Sequence, residues 1–207
     1  MNRIFSLLFF IMFSFCCSEK EKHLVKDFTP LLGNGNINVV IEIPTGTNEK
    51  FEVDKTTGRL KLEVLNNDKP RIINYLSYPF NYAMVPRTLL PKKLGGDGDP
   101  LDVIVLGKPI ERGLVVECKL IGVLKLLDRG EKDDKLIAVS ANSRFYNVNN
   151  LEQLEAAFPG VLDISKIWFT NYKGKGKIQF MGFDDKRVSD SILLTSISEY
   201  KKINKYK

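Results

Sequence analysis

Short apolar runs and two-residue alternation fill the first two thirds of the chain, and helical spacing appears only towards its end. Residues 38–44 (Asn-Val-Val-Ile-Glu-Ile-Pro) form an apolar run interrupted by Glu42 and predict a first strand. Residues 50–54 (Lys-Phe-Glu-Val-Asp) alternate polar and apolar, as a half-buried strand does, and residues 59–64 alternate again. The turns Thr45-Gly46-Thr47-Asn48 and Thr56-Thr57-Gly58 separate these three segments. Further strands are predicted over residues 101–106, 115–128 and 135–139.

Helical spacing begins at residues 150–158, where Leu151, Leu154 and Phe158 recur behind a polar cap at Asn149 or Asn150. This segment stops at Pro159-Gly160. Residues 162–172 carry Ile164, Ile167, Trp168 and Tyr172, which fit one apolar helix face. After Gly174-Lys175-Gly176 the pattern predicts a last strand over 177–183 and a final helix over 185–200. Strands first and helices late predict an α+β protein with a curled or closed sheet. The chain shows no internal repeat and no low-complexity block.

A length of 207 residues suits one domain or a small pair. Hydrophobic content of 43% and aromatic content of 10% provide for a real core. The net charge of +6 is unevenly spread: residues 201–207 hold four lysines, and the other cations are scattered. No dense basic face of the kind that binds nucleic acid is visible. The tail reads as a solvated end, with nucleic acid or anionic lipid as the alternative contacts.

The N-terminus looks like a targeting segment. Asn2-Arg3 precede an apolar run over residues 4–15, which Cys16-Cys17-Ser18 close. That run is too short to span a bilayer as a helix and suits a secretory signal. The cysteines resemble the lipid-attachment site of bacterial lipoproteins, although the residues before them depart from its small-residue pattern. The expected division is 1–17 signal peptide, 18–36 linker, 37–200 main domain and 201–207 basic tail. Localisation is then periplasmic or membrane-anchored, or cytoplasmic if the leader is a misassigned start.

Beyond the leader, Cys118 is the single cysteine, so no internal disulfide can form, and it reads as a strand residue. The single histidine, His23, lies in the expected linker. No Ser-His-Asp or Cys-His pair and no His- or Cys-rich zinc site can be built inside the domain. Acid, base and ligand roles therefore fall to Asp, Glu, Lys, Arg and Tyr. Three aspartates crowd Gly95-Gly96-Asp97-Gly98-Asp99-Pro100-Leu101-Asp102, and Asp133 follows in Asp128-Arg129-Gly130-Glu131-Lys132-Asp133. Carboxylates so closely spaced repel one another unless a cation neutralises them, and hard dications such as Mg²⁺ take oxygen ligands. A solvated acidic turn is the simpler alternative. Glu42, Lys50, Glu52, Tyr78, Tyr82, Tyr172 and Lys173 also sit where strand or helix patterning does not demand them. Together these residues offer an oxygen-rich cage beside Lys, Arg and Tyr donors, which suits a metal-bridged phosphate polyanion.

The run Asp97-Gly98-Asp99-Pro100-Leu101-Asp102-Val103 resembles the signature of the family I soluble inorganic pyrophosphatases. The likeness continues in residues 39–44, 50–52, 78–82, 122–128, Asp133 with Lys135, and 169–173, and spans roughly residues 36–183. It implies a five-stranded OB-like closed β-barrel with flanking helices, Mg²⁺-dependent hydrolysis of pyrophosphate to two phosphates, and a homo-oligomer. It also implies roles. Asp97, Asp102 and Asp133 would hold a first metal, and Asp102 would share a second. Asp128 with Asp133 would hold a metal that arrives with substrate, Glu42 helping through water. Asp99 would orient and deprotonate the attacking water. Lys50, Arg71, Tyr82, Tyr172 and Lys173 would hold phosphate oxygens, supported by Glu52, Tyr78 and Lys135. Arg59 and Arg87 compete with Arg71 on position, and Asp134 is the neighbouring alternative to Asp133. Ala83 stands where the family usually has glycine. A non-catalytic exported protein that binds divalent metal or phosphate is the alternative function, and an OB-type nucleic-acid binder a third. No nucleic-acid partner is expected, and membrane contact only through an N-terminal lipid anchor.

Overall fold

In the computed structural model, residues 21–66 and 68–204 are described. The leader with Cys16 and Cys17, and the tail residues Lys205, Tyr206 and Lys207, lie outside them. The elements run β1 (Ile37–Ile43), β2 (Phe51–Val53), β3 (Leu60–Leu62), β4 (Asn81–Met84), β5 (Asp102–Leu106), β6 (Val115–Asp128), β7 (Glu131–Lys132) and β8 (Lys135–Ser140). Then follow α1 (Leu151–Ala157), α2 (Val161–Asn171), β9 (Ile178–Asp185) and α3 (Lys186–Asn204).

Five of these strands close on themselves. β1 pairs with β4, β4 with β5, β5 with β8, β8 with β6, and β6 returns to β1. Only the β5–β8 pair in this ring is parallel. Closure leaves the ring without a free edge. The result is the α+β, OB-like barrel with flanking helices that the sequence leads one to expect. β6 has 14 residues and serves as the common strand, pairing also with β7 and β9. It bends at register shifts between Leu120 and Gly122 and between Lys125 and Leu126, as bulged strands do. β2 and β3 form a separate hairpin.

Much of the ring is covered on both faces, so β5 and β8 in particular read as apolar runs without two-residue alternation. Val103 and Val105 of β5 pack in a cluster with Leu193 and Ile197 of α3. Ile104 and Leu106, between them in sequence, join Trp168 and Phe169 of α2. β4 escaped prediction for the same reason: all four of its residues are buried, Asn81 included. Asn81 is satisfied there, accepting from the Thr45 and Ile110 amides and donating to the Lys108 carbonyl. Ala83 is buried opposite Val103 in ordinary strand pairing, so a glycine is not required at this position.

Two expectations need correction. The apolar face predicted for α2 is rotated: Ile164 and Ile167 are 53% and 56% exposed, whereas Ser165, Trp168 and Phe169 are buried. Trp168 and Phe169 fit among Tyr78, Phe80 and Tyr82, and their large apolar area decides which stripe turns inward. The segment expected as a tether is also packed over its described part. Val25 is buried, Leu24 N donates to the Gly58 carbonyl, and Leu31 bridges to Ile37. Helix α1 is capped by Asn150, whose side chain accepts from Gln153 N at 2.8 Å.

Gly122 lies at a bend of β6, where an added Cβ would fall 2.6 Å from Leu151 Cγ. Gly122→Ala is expected to destabilise the fold by about 1–3 kcal/mol, the scale of overpacking a filled core. Urea unfolding with an unchanged m-value would show it.

Candidate active site

Charged and phenolic side chains collect at one end of the barrel, each delivered by a different element. A register shift between Ile41 and Ile43 singles out Glu42 on β1. Glu42 is buried, and its Oε1 accepts from Val53 N at 2.8 Å, tying β1 to the β2–β3 hairpin. The acidic loop before β5 lies flat on Leu90: a Cβ at Gly96 would meet the Leu90 carbonyl oxygen at 2.0 Å. Gly98, with φ of 90°, donates its N–H to the same oxygen at 3.0 Å. Only glycine permits that approach and that conformation. The Asp97 carboxylate accepts from Asp99 N at 2.8 Å, which closes the turn.

Asp102 and Lys135 open β5 and β8, and the parallel register of those strands sets them side by side. Lys135 Nζ lies 2.5 Å from Asp102 Oδ2 and 2.5 Å from Asp133 Oδ1, with only 3% of its side chain exposed. Burial works against its charge, but Asp102 and Asp133 outweigh burial and raise the ammonium well above the usual lysine range. Burial likewise pushes Asp102 upward, and Lys135, then Lys50, pull it below its ordinary value. Glu42 has weaker compensation: burial dominates, Lys50 opposes, Asp102 adds, and its pKa rises to about 8. Asp97 is raised by burial and then by the negative charges of Asp99 and Asp102. Tyr82 is pushed well above its ordinary value by burial, then by Asp102 and Asp133.

Lys173 Nζ, just beyond α2, reaches Asp128 Oδ2 at 2.6 Å. Tyr172 stacks on Trp168 with centroids 4.6 Å apart and rings 10° from parallel. Trp168 also packs on Tyr78 at 4.3 Å, and Tyr78 lies 5.7 Å from Tyr82. The indole Nε1 of Trp168 donates to the Leu76 carbonyl at 2.9 Å.

These side chains line two adjoining clefts of about 300 and 280 Å³ that share Lys50, Glu52, Tyr82, Asp97 and Asp102. Every residue predicted from the sequence lines one of them except Tyr78, which stands behind Tyr82. Arg71 is the arginine that lines these clefts, paired with Glu63 at 2.5 Å. Arg59 instead pairs with Glu21, and Arg87 donates to the Lys26 carbonyl. Asp133 faces the cleft, whereas Asp134 turns back to accept from Leu126 N at 3.2 Å. Lys55, which is ion-paired with Asp99, Glu63 and Trp168 were not singled out from the sequence. Lys55 and Glu63 read as ordinary surface positions beside short strands, and Trp168 as one member of a helix face.

Oxygen-only donors fit a hard dication. One of them has an open coordination direction: Asp128 Oδ1 is buried and has no hydrogen-bond partner. No three of the described carboxylates stand close enough together to hold an ion between them. Lysine ammonium groups lie among them: Lys135 on Asp102 and Asp133, Lys173 on Asp128, Lys55 on Asp99. The expected grouping of Asp97, Asp102 and Asp133 is thus a shared wall of one cleft, with Lys135 set against two of its members.

A family model described as "Inorganic pyrophosphatase" matches residues 39–201. The inorganic pyrophosphatase of Campylobacter jejuni is 34% identical over 172 residues, covering 80% of this chain and 92% of that protein. That of Xylella fastidiosa is 35% identical over 170 residues, covering 80% and 89%. Among solved structures, a truncated vacuolar soluble pyrophosphatase of Trypanosoma cruzi in complex with PPi superimposes with a TM-score of 0.78 at 26% identity, covering 89% of this chain and 76% of that one. By fold, by site and by these relatives, the chain belongs to the inorganic pyrophosphatase family.

Proposed function

We propose that this protein hydrolyses pyrophosphate to two phosphates at the barrel-end clefts, with Mg²⁺ as its metal. The charge balance of those clefts carries the reading. Ten carboxyl groups and six cationic side chains line them, so carboxyl groups outnumber cations by four, or by three while Glu42 keeps its proton. A bare polyanion is repelled from such a surface, whereas one that arrives with several dications is attracted.

Asp97, Asp102 and Asp133, with Asp128 and Glu42 nearby, are the residues that would hold the metals. Bound there, Mg²⁺ supplies positive charge to the phosphate oxygens and makes a water more acidic near neutral pH. The remaining work belongs to the chain's own groups. Asp99 stands at the cleft mouth, held by Lys55 and by the turn through Asp97. Its carboxylate accepts the proton of the attacking water as that oxygen bonds to phosphorus. The bond from phosphorus to the bridging oxygen breaks, and the leaving phosphate carries the electron pair away. Lys50, Arg71, Tyr82, Tyr172 and Lys173 surround the remaining oxygens and donate to them, most strongly as charge builds on the leaving group. Tyr78 and Trp168 hold the two phenols in place, and Glu52 and Lys135 balance the neighbouring charges.

The leader supports a second part of the proposal: the enzyme is exported and acts outside the cytoplasm, attached by a lipid at Cys16 or Cys17. Intact-mass analysis of the N-terminus from the native host is expected to show a diacylglyceryl-modified cysteine; an unmodified, uncleaved N-terminus would remove this part and leave the activity untouched.

Asp99→Asn is expected to keep the fold and most metal binding while lowering turnover by roughly 10²–10⁴-fold, the contribution of a positioned base. A phosphate-release assay with Mg²⁺-pyrophosphate measures this, and near-normal turnover would refute the role of Asp99. Glu42 yields a pH prediction for the metal-free protein. Its folded pKa of about 8 lies above the ordinary value of 4.5. The proton it retains on folding therefore stabilises the protein fully below about pH 4.5, and that stabilisation is lost as pH rises towards 8. In chelator, wild type should lose more stability than Glu42→Gln on going from acidic to alkaline pH, by on the order of 1.4 kcal/mol for each pH step of one crossed between those two values. Parallel melting curves for the two proteins across that range would contradict the assignment.

A further inference from the structure

The two ends of the described chain meet at one pole of the molecule, although almost the whole sequence lies between them. Tyr200, near the end of α3, packs in one cluster with Leu24 and Val25. Arg87 N donates to the Val25 carbonyl at 2.9 Å, and its side chain donates to the Lys26 carbonyl at 2.6 Å. Leu89 N in turn reaches the Ser196 carbonyl at 3.2 Å, which lays this loop along α3.

Cations collect at this pole. Lys22 and Lys26 come from the N-terminal segment, Arg87 and Lys93 from the connection between β4 and β5, and Lys201 and Lys202 from α3; all six are exposed. The carboxylates among them are Glu21, Asp27 and Glu199. Glu21 is taken up by Arg59, and the buried Glu199 by Lys93 at 3.5 Å and Lys202 at 2.5 Å. Lys26 and Lys201 have no carboxylate within ion-pairing distance among the described residues. The sequence adds the same sign at the C-terminal end through Lys205 and Lys207, whereas Glu19 and Lys20 balance one another at the other. Ahead of Lys20 stand the apolar run over residues 4–15 and the Cys16-Cys17 pair.

We propose that this pole is a docking surface for an anionic lipid bilayer, and that it presses the folded domain onto the membrane where the N-terminal anchor holds it. The lipid would hold the N-terminus at the bilayer, and a basic surface beside it adds attraction to anionic headgroups that turns this face of the domain towards the membrane. The charge complements anionic headgroups, and the place where the chain enters the fold puts the surface next to the anchor. None of these lysines belongs to the catalytic clefts. The orientation rests on the export reading of the leader, and the test separates the two.

The test is vesicle flotation of the full chain, with phosphatidylcholine vesicles and with vesicles in which about one third of the lipid is phosphatidylglycerol. Binding to phosphatidylcholine alone reports the anchor. The added binding on phosphatidylglycerol reports the pole, and it should collapse at high salt. A Lys26→Gln, Lys201→Gln double variant removes one charge from each end of the sequence. It should lose about fivefold affinity per charge, roughly 25-fold together, on the anionic vesicles only. Its phosphate release should equal that of wild type, which shows that the fold is intact. Equal binding of wild type to both vesicle types, equal binding of variant and wild type to the anionic vesicles, or displacement from them by a single-stranded oligonucleotide would each overturn the proposal. Loss of phosphatidylcholine binding with the anionic increment retained would sink the anchor and leave the pole standing.

Discussion

A buried ammonium set against two carboxylates organises this site. Lys135 opens β8, Asp102 opens the adjacent parallel strand β5, and Asp133 precedes Lys135 by two residues. A carboxylate removed from water without a partner costs several kcal/mol, so the strands can bring Asp102 to the barrel end only because Lys135 arrives with it. The compensation depends on closure. β8 is held between β5 and β6, and β6 carries Asp128 at its far end. Loss of the lysine would leave two half-buried like charges without the cation between them and would loosen the strand ends that carry the rest of the cleft.

Around this ionic centre stands an aromatic wall. Trp168 contacts Tyr78, Phe80, Phe169 and Tyr172 at ring-centroid distances between 4.3 and 6.4 Å. These edge and stacked contacts add to the area that they bury, and they convert flexible phenols into fixed donors. The wall also explains the rotation of α2. The helix presents its aromatic residues to the barrel and leaves two isoleucines in water, because the ring stack fits there and the isoleucines do not reach it.

The surplus of carboxylates gives the site its chemical character. Lysines partner Asp99, Asp102, Asp128 and Asp133, which leaves the cleft ordered, yet the balance remains negative. On the proposed reading such a surface would favour substrates that bring cations with them, and the groups assigned to phosphate oxygens would act on a polyanion already partly neutralised. On the proposed mechanism a site without histidine suffices, because a water acidified by bound metal would need only a carboxylate to take its proton.

Much of this was legible along the chain. Closely spaced aspartates on a glycine-rich loop pointed to a carboxylate-rich rim, which the fold places at the barrel end, and strand-sized apolar runs followed by helical spacing pointed to an α+β barrel. The 14-residue β6 was readable to its ends, because its apolar residues recur at strand spacing over an unusually long stretch, with charged residues only at Glu117, Lys119, Lys125 and Asp128. Local patterning could not show β4, whose four residues are buried on both faces, nor which stripe of α2 turns inward, since both depend on what packs against them. It favoured Arg71 but left Arg59 and Arg87 as competitors on position, and the fold places only Arg71 of the three on the cleft. It could not reveal Lys55 on Asp99, or the meeting of residues near 25 with those near 200, because charge pairs distant in sequence leave no periodic trace. Residue types and their spacing determined the chemistry available to this protein; strand register and barrel closure decided which of those groups touch, since only the folded chain brings distant charges within a few ångströms of one another.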